Sequence, residues 1–257
     1  MVSGDIIKIL EKQSPPEYAM DWDNVGLLVG RRDREVKKLL LAVDVTVDVC
    51  AFAVQEQVDM IVSHHPMIFG KINRVDDSTV LGQKLLMLIE SGIACYAMHT
   101  NFDTKGGMAK YAAKKLGLKQ PYVLEETYMG EGIGQVGILD KTSSLAELCD
   151  KVKEAFSLEQ VLLFGETERV VDKIAISPGS GKSMIDHAIA AGAQCLITGD
   201  IGHHEGIDAL ESGLAIIDAS HYGLEKIFLE YMYGYLKDYM PDTEIIVADT
   251  GMVYTVV

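Results

Sequence analysis

The sequence predicts an α/β protein made of two similar α/β halves, each a sheet flanked by helices. Short apolar runs that are typical of buried strands alternate with segments of helical spacing along the chain. The same order of strand, turn and helix returns 122 positions further on, which indicates a duplication. We place the join in the Gly- and Glu-rich stretch 125–134, so the expected domains are an N-terminal half, 1–127, and a C-terminal half, 128–257.

The composition is that of a folded protein, and the net charge makes one class of partner, nucleic acid, unfavourable. Hydrophobic residues make up 48% of the 257 residues, and 38 acidic against 23 basic residues give a formal net charge of −15. Such an acidic chain lacks the positive field on which non-specific nucleic-acid binding depends. Nucleic acid is therefore not an expected partner.

Neither a signal peptide nor a membrane span is expected. The first 13 residues mix charges into their apolar pattern, and no apolar run reaches the roughly 18 residues that a spanning helix requires. The four cysteines lie at least 45 positions apart in apolar surroundings, so we expect reduced core thiols. These features predict a cytoplasmic protein without a membrane partner.

In the N-terminal half, continuous apolar runs predict strands that are covered on both faces, with helices between them. Gly92 stands where a helix would stop. Pro66 disfavours helix at the residue before it, so His64 and His65 are expected in an extended turn that leaves a strand. The expected elements are helices at Ile6–Leu10, Val47–Gln57 and Leu81–Ser91, and strands at Lys38–Asp44, Asp59–Ser63 and Ile93–Met98.

The C-terminal half follows the same order. The expected elements are strands at Lys173–Ser177, Gln194–Thr198 and Leu214–Asp218, and helices at Ser183–Ala191 and Ile207–Glu211. The turn Pro178–Gly181 resembles part of a phosphate-binding loop, but Ile176 stands where that motif requires glycine. Two interpretations stay open for it: free N–H groups that hold an anion, or a tight turn with glycine at positive φ.

Histidines collect in the loops that leave the predicted strands at their carboxyl ends, where ligands bind in open α/β sheets. His99 and Asp103 have i, i+4 spacing, and so do His221 and Glu225, so each pair is expected on one helical face. A lone His-His pair or a single H-x-x-x-E is weak by itself. Two equivalent pairs in a duplicated unit, together with the strand-terminal His-His-Pro, predict a metal site.

The candidate ligands point to a dinuclear centre. Three imidazoles and two carboxylates suit two divalent metal ions per chain about 3.5–4 Å apart, whereas a structural zinc site is closed by four ligands. Zinc, iron and manganese are all compatible with this ligand set. His187 is expected to be structural, and His203 and His204 fit either a pocket wall or a solvated helix start. The candidate ligands are His64, His65, Asp103, His221 and Glu225.

Taken together, the motifs of this chain resemble the NIF-three-like family, also called GTP cyclohydrolase I type 2 homologs. The matching segments are Trp22–Gly30, Ser63–Pro66, His99–Asp103, Pro178–Gly181, Thr198–Ile201 and His221–Glu225. The resemblance implies two similar α/β halves with a dinuclear metal centre in the cleft between them, and a toroidal homohexamer. It places the metal ligands on the same five residues. It also places His99 beside the centre, either as a residue that supports the ligands without binding the metal or as a proton-transfer residue. It also makes Asp200 a wall of the cavity.

Two classes of function follow. The first is a metal-dependent hydrolase that acts on a nucleotide-like or phosphorylated small molecule through a metal-bridging hydroxide, with His99 as general acid or base. Lys105, Arg74 and Lys182 are candidates to pair with substrate phosphates, although each also suits a solvated surface. The second is a non-catalytic metal-binding, regulatory or adaptor ring protein. A ring that binds nucleic acid conflicts with the charge of −15.

Overall fold

The computed structural model describes residues 1–255 and divides into two compact units. Unit 1 comprises Met1–Gly106 and Phe228–Gly251, and unit 2 comprises Gly107–Ile227 and the residues from Met252 onward. The predicted α/β class is confirmed, because each unit has a sheet with flanking helices. The domains 1–127 and 128–257 were assigned from the sequence repeat and stay a prediction.

The regular elements are named in chain order. The strands are β1 (Gly26–Val29), β2 (Lys38–Ala42), β3 (Met60–Ser63), β4 (Ala94–Ala97), β5 (Lys119–Tyr128), β6 (Glu131–Ser144), β7 (Leu162–Phe164), β8 (Val170–Ser180), β9 (Cys195–Gly199), β10 (Ala215–Asp218) and β11 (Glu244–Ala248). The helices are α1 (Ser3–Gln13), α2 (Val47–Gln55), α3 (Val80–Ser91), α4 (Met108–Lys115), α5 (Leu145–Phe156), α6 (Ile185–Ala190), α7 (His203–Glu211), α8 (His221–Glu225) and α9 (Ile227–Tyr239).

Unit 1 contains a five-stranded sheet in the order β1-β4-β3-β2-β11. The neighbours from β4 to β11 run parallel, and β1 is antiparallel to β4. Residues of β2, β3 and β4 are almost completely buried, as their continuous apolar sequences predicted. Because β3 and β4 are parallel neighbours, the residues that follow them leave the sheet at the same edge. His64 follows β3 and His99 lies two residues after β4.

Unit 2 contains a six-stranded sheet in the order β5-β6-β8-β9-β10-β7, in which β8, β9 and β10 run parallel. The stretch 125–134, in which the sequence analysis places the join of the two halves, forms part of the antiparallel β5–β6 hairpin. Its turn holds Met129 and Gly130 at positive φ. Most of β5 is exposed, so no apolar run marks it in the sequence. The predicted turn at Pro178–Gly181 is largely the irregular end of β8, where the pairing with β9 shifts register.

The cysteines and the helices each bear on one feature of the sequence. All four cysteines are free and buried, as expected for core thiols. Across residues 1–255, no helix combines the length and the apolar character that crossing a membrane requires.

We expect Gly92→Ala and Gly234→Ala to change stability in opposite directions. Gly92 directly follows α3 as its C-cap and has φ 69° in the left-handed region, where alanine costs about 1 kcal/mol or more. Gly234 lies inside α9 with open space around its Cα, so alanine there should stabilise by up to about 1 kcal/mol. Urea unfolding midpoints check both. An equal shift for the two variants would contradict the assigned backbone conformation of Gly92.

Candidate metal centre

Unit 1 brings four of the predicted site residues together. His64, His65 and His99 each offer a ligand nitrogen, and these three atoms lie within 4.8 Å of one another. The Asp103 Oδ1 atom lies 3.7 Å from His64 Nε2. The backbone N–H groups of His64 and His65 donate to the carbonyls of Ala42 and Val43, which fixes both residues beside the end of β2. The group is suited to hold a metal ion.

Asp103 stands in a π-helical turn, Phe102–Gly106, and not in a regular α-helix as the i, i+4 spacing suggested. Such wide turns are uncommon and often occur at functional sites. Gly106 permits the close packing here, since a side chain at this position would overlap Phe102. Phe228, at the start of α9, packs against His64 at a ring-centroid distance of 5.4 Å. His64 is fully buried, and Phe102 also contacts its ring at a centroid distance of 6.2 Å, so aromatic side chains line this side of the cluster.

Unit 2 brings together the other two predicted ligands. His221 begins α8 and Glu225 ends it, and His221 Nε2 lies 3.0 Å from Glu225 Oε2. Ser220, just before α8, has φ 60°, a left-handed value that is rare outside glycine. The Asp218 carboxylate accepts a hydrogen bond from the Ser220 N–H, and the Ser220 hydroxyl accepts one from the Gly223 N–H. These bonds hold the strained backbone that turns His221 out of the strand.

The position of Gly179 shows why the segment Pro178–Gly181 requires a glycine. Gly179 has φ 84°, and a Cβ atom at this position would overlap the Glu225 carboxylate. The segment therefore lets the β8 backbone approach a candidate ligand closely. This geometry agrees with the tight-turn interpretation of the glycine and gives no separate support for an anion site.

All four histidines of the predicted site share one hydrogen-bonding arrangement. Each directs Nδ1 to an oxygen, and a carbonyl or carboxylate oxygen can only accept. Nδ1 must therefore carry the proton, which leaves the lone pair of the neutral ring on Nε2, the form that binds metal ions. The pairs are His64 with the Met98 carbonyl (2.8 Å), His65 with Asp44 (2.8 Å), His99 with Asp23 (2.9 Å) and His221 with Asp200 (2.7 Å).

The ligand distances within each unit fit a shared ion. Two donors that bind one ion at about 2.0–2.2 Å can lie no more than about 4.4 Å apart. The His64–Asp103 distance of 3.7 Å and the His221–Glu225 distance of 3.0 Å both satisfy this limit. Imidazole nitrogen with carboxylate oxygen suits zinc, iron or manganese.

Asp23 is the most perturbed carboxylate near the unit 1 cluster. Burial alone would raise its pKa, but hydrogen bonds from His99 and from Thr100 outweigh this effect and bring the pKa to about 2. The Thr100 N–H and hydroxyl donate to Asp23 Oδ2 at 3.0 and 2.6 Å. Asp23 is thus ionised over the whole neutral range and holds the His99 ring in place.

Other residues that the sequence analysis singled out have identifiable neighbours in the structure. His187 lies 3.7 Å from Glu125, and Lys105 lies over the Tyr18 ring at 5.3 Å. Lys182 forms an ion pair with Glu205. His203 and His204 are exposed at the start of α7. Sequence reasoning missed Asp44 and Asp23 as histidine partners; both are acidic residues at or near strand ends, a weak signal in isolation.

Comparison of the whole chain with known proteins identifies its family. A profile of the Duf34/NIF3 family, described as NGG1p interacting factor 3, matches residues 1–251. The chain belongs to this family. A Clostridium acetobutylicum relative named GTP cyclohydrolase 1 type 2 homolog is 35% identical over 225 residues, which cover 86% of this chain and 84% of that protein.

Two solved structures share the fold of this Duf34/NIF3 protein. A Bacillus cereus protein related to NIF3 superposes with a TM-score of 0.94 at 22% identity, covering 100% of this chain and 99% of that one. Reduced HcgD from Methanocaldococcus jannaschii superposes with a TM-score of 0.83 at 31% identity, covering 97% and 98% of the two chains. The resemblance drawn from the sequence motifs is thereby confirmed at the level of family and fold.

We expect Asp23→Asn to destabilise the protein at pH 7 by about 2 kcal/mol, because the pKa falls from an ordinary 3.8 to about 2 on folding. A lowered pKa contributes stability above the unfolded value, and this contribution disappears as the pH falls from about 4 to about 2. Urea unfolding of metal-free protein between pH 7 and pH 2.5 checks both points.

The control is Asp33→Asn, which removes an exposed carboxylate paired with Arg31. Its pKa is also about 2, but solvent screens the pair, so we expect a much smaller change in stability. An Asp23→Asn variant as stable as the wild type at pH 7 would contradict the role assigned to Asp23.

Proposed function

We propose that this protein is a dinuclear-metal-dependent hydrolase that acts on a nucleotide-like or phosphorylated small molecule. The proposed ligands are His64, His65 and Asp103 of unit 1 with His221 and Glu225 of unit 2. The observation that carries the proposal is the shared histidine arrangement, in which Nδ1 is held by an oxygen and Nε2 keeps its lone pair. If these histidines had only a structural role, there would be no need for Nδ1 to be the hydrogen-bonded nitrogen in every one of them.

The ligand set favours catalysis over a purely structural site. Three nitrogens and two carboxylates shared by two ions leave coordination positions for water and substrate. When bound, two divalent ions supply Lewis-acid chemistry that activates water and polarises a phosphoryl, carbonyl or amidine group. The buried rings of Phe102 and Phe228 beside His64 lower the local polarity, which strengthens electrostatic interactions there.

His99 is the proposed general acid or base. Its Nδ1 proton is donated to Asp23, so Nε2 is the atom that would exchange a proton with the substrate. Asp23 fixes the tautomer and the orientation of the ring, as the carboxylate does in other Asp–His pairs. The His99 side chain is 13% exposed, so it can be reached from solvent.

The names of relatives bear on this proposal only in part. The curated relatives are called homologs of GTP cyclohydrolase 1 type 2, a label that agrees with the hydrolase class but leaves the substrate undefined. We also propose a cytoplasmic location and the toroidal homohexamer that the family resemblance implies. The alternative is a non-catalytic metal-binding, regulatory or adaptor ring, which the words "interacting factor" in the family description favour.

We expect protein purified without chelators to contain about two metal ions per chain, and Glu225→Gln to reduce this content to one or less. Glutamine keeps the size of the side chain but removes the anionic ligand that faces His221 at 3.0 Å. Elemental analysis measures the content. Glu211→Gln, an exposed substitution of the same kind at the end of α7, should retain two ions. Equal metal content in the two variants would remove Glu225 from the ligand set.

We expect His99→Gln to retain its metal and to lower hydrolysis by roughly 10²–10⁴-fold, because it removes the proton-transferring group while leaving the five ligands intact. The measurement is a screen of the metal-loaded wild type on phosphoesters and cyclic amidines, followed by kinetics of the variant on the compound that is turned over. Full metal loading without turnover of any compound would support the non-catalytic alternative.

A further inference from the structure

We infer that Trp22 and Phe69 form a stacking site for a planar, uncharged heteroaromatic ring beside His99. The inference rests on the proposed function and specifies the part of the substrate that unit 1 would recognise. It concerns residues outside the metal ligands and the proposed proton-transfer group.

The first observation is the exposure of two large aromatic side chains at the edge of the histidine cluster. Trp22 is 66% exposed and Phe69 is 58% exposed. Their ring centroids each lie 5.9 Å from that of His99, with interplanar angles of 75° and 89°. Exposed apolar surface next to convergent polar groups is typical of a ligand site. The contacts with His99 are edge-on, so a large part of both aromatic rings is still open to solvent.

The second observation is that both rings stand on anchored loops. The Asn24 side-chain amide donates to the Ile68 carbonyl at 2.6 Å, which joins the Trp22 loop to the Phe69 loop. Asp23 is bonded to His99 and Thr100, and its N–H donates to the Met20 carbonyl at 2.9 Å. These hydrogen bonds hold the two loops, and with them Trp22 and Phe69, in place before a ligand binds. Pre-organisation of this kind lowers the entropic cost of binding.

The chemistry of the two side chains selects the class of ligand. Aromatic rings offer π faces and little hydrogen bonding, so they favour a flat ring over a sugar or a phosphate. Stacking of a base on an aromatic side chain contributes about 1–3 kcal/mol per contact and tolerates different bases. The net charge of −15 opposes anionic ligands that lack a dedicated cation, so the uncharged ring is the part assigned to this site.

The single tryptophan of the chain makes the test direct, because its fluorescence comes from Trp22 alone. Adenosine, inosine and nicotinamide are titrated into metal-loaded protein, with ribose as the ring-free control. We expect at least one of the three to quench Trp22 saturably and ribose to have no effect. Phe69→Ala should raise the dissociation constant roughly 5- to 150-fold, the range that loss of one stacking partner predicts.

The matched control is Phe52→Ala, which removes a phenylalanine that is 37% exposed on α2 and should leave the dissociation constant within twofold. Absence of quenching by all three ring compounds, equal effects of ribose, or an unchanged constant in Phe69→Ala would each overturn the inference. The inference would also be overturned if Phe69→Ala formed a smaller assembly in solution than the wild type and no ring compound bound. The surface would then be a contact between copies of the chain.

Metal content measured on the same samples separates this inference from the proposed function. Two ions per chain without ring binding would reject the stacking site and leave the metal centre standing. Ring binding that survives in metal-depleted Glu225→Gln would support the stacking site while the metal proposal is judged on its own data.

Discussion

The orientation of the four histidines depends on one kind of interaction, the hydrogen bond from Nδ1 to an oxygen that can only accept. This bond decides which nitrogen of the ring carries the proton, and so which nitrogen keeps the lone pair that can bind a metal ion. In unit 1 the acceptors come from a backbone carbonyl and from two carboxylates, and in unit 2 from Asp200. The oxygen that accepts the Nδ1 proton differs from one histidine to the next, but Nε2 keeps the lone pair in all four. The common orientation is therefore not the product of one repeated local motif.

The backbone is shaped to make these orientations possible. Asp200 and Ser220 both have φ near 60°, and both adjoin His221, the first by hydrogen bonding and the second by sequence. Such conformations cost of order 1–3 kcal/mol each and persist only where surrounding bonds over-determine them. Asp218 provides two of those bonds, to the N–H groups of Ile201 and Ser220. Unit 1 meets a similar need with the π-helical turn that carries Asp103.

The sequence predicted the parts of this arrangement that follow from periodicity. His64 and His99 could be placed at one sheet edge, because each follows a continuous apolar run that had to be a buried parallel strand. Asp23 and Asp44 could not be assigned as partners, since a hydrogen bond across 76 or 21 positions leaves no local pattern. The β5–β6 hairpin was missed for a different reason: β5 is mostly exposed and carries no apolar run.

Asp23 links three features that would otherwise be independent. Its carboxylate orients His99 and accepts two hydrogen bonds from Thr100, which begins the turn leading to Asp103, and its own backbone N–H closes the turn that presents Trp22. A substitution at Asp23 therefore removes hydrogen bonds of His99, the proposed proton-transfer residue, and of Thr100 in the segment before Asp103. Residues that share one partner do not contribute additively. The effects of substitutions at Asp23 and at His99 should accordingly be compared in a double-mutant cycle, because neither single change isolates the role of one residue.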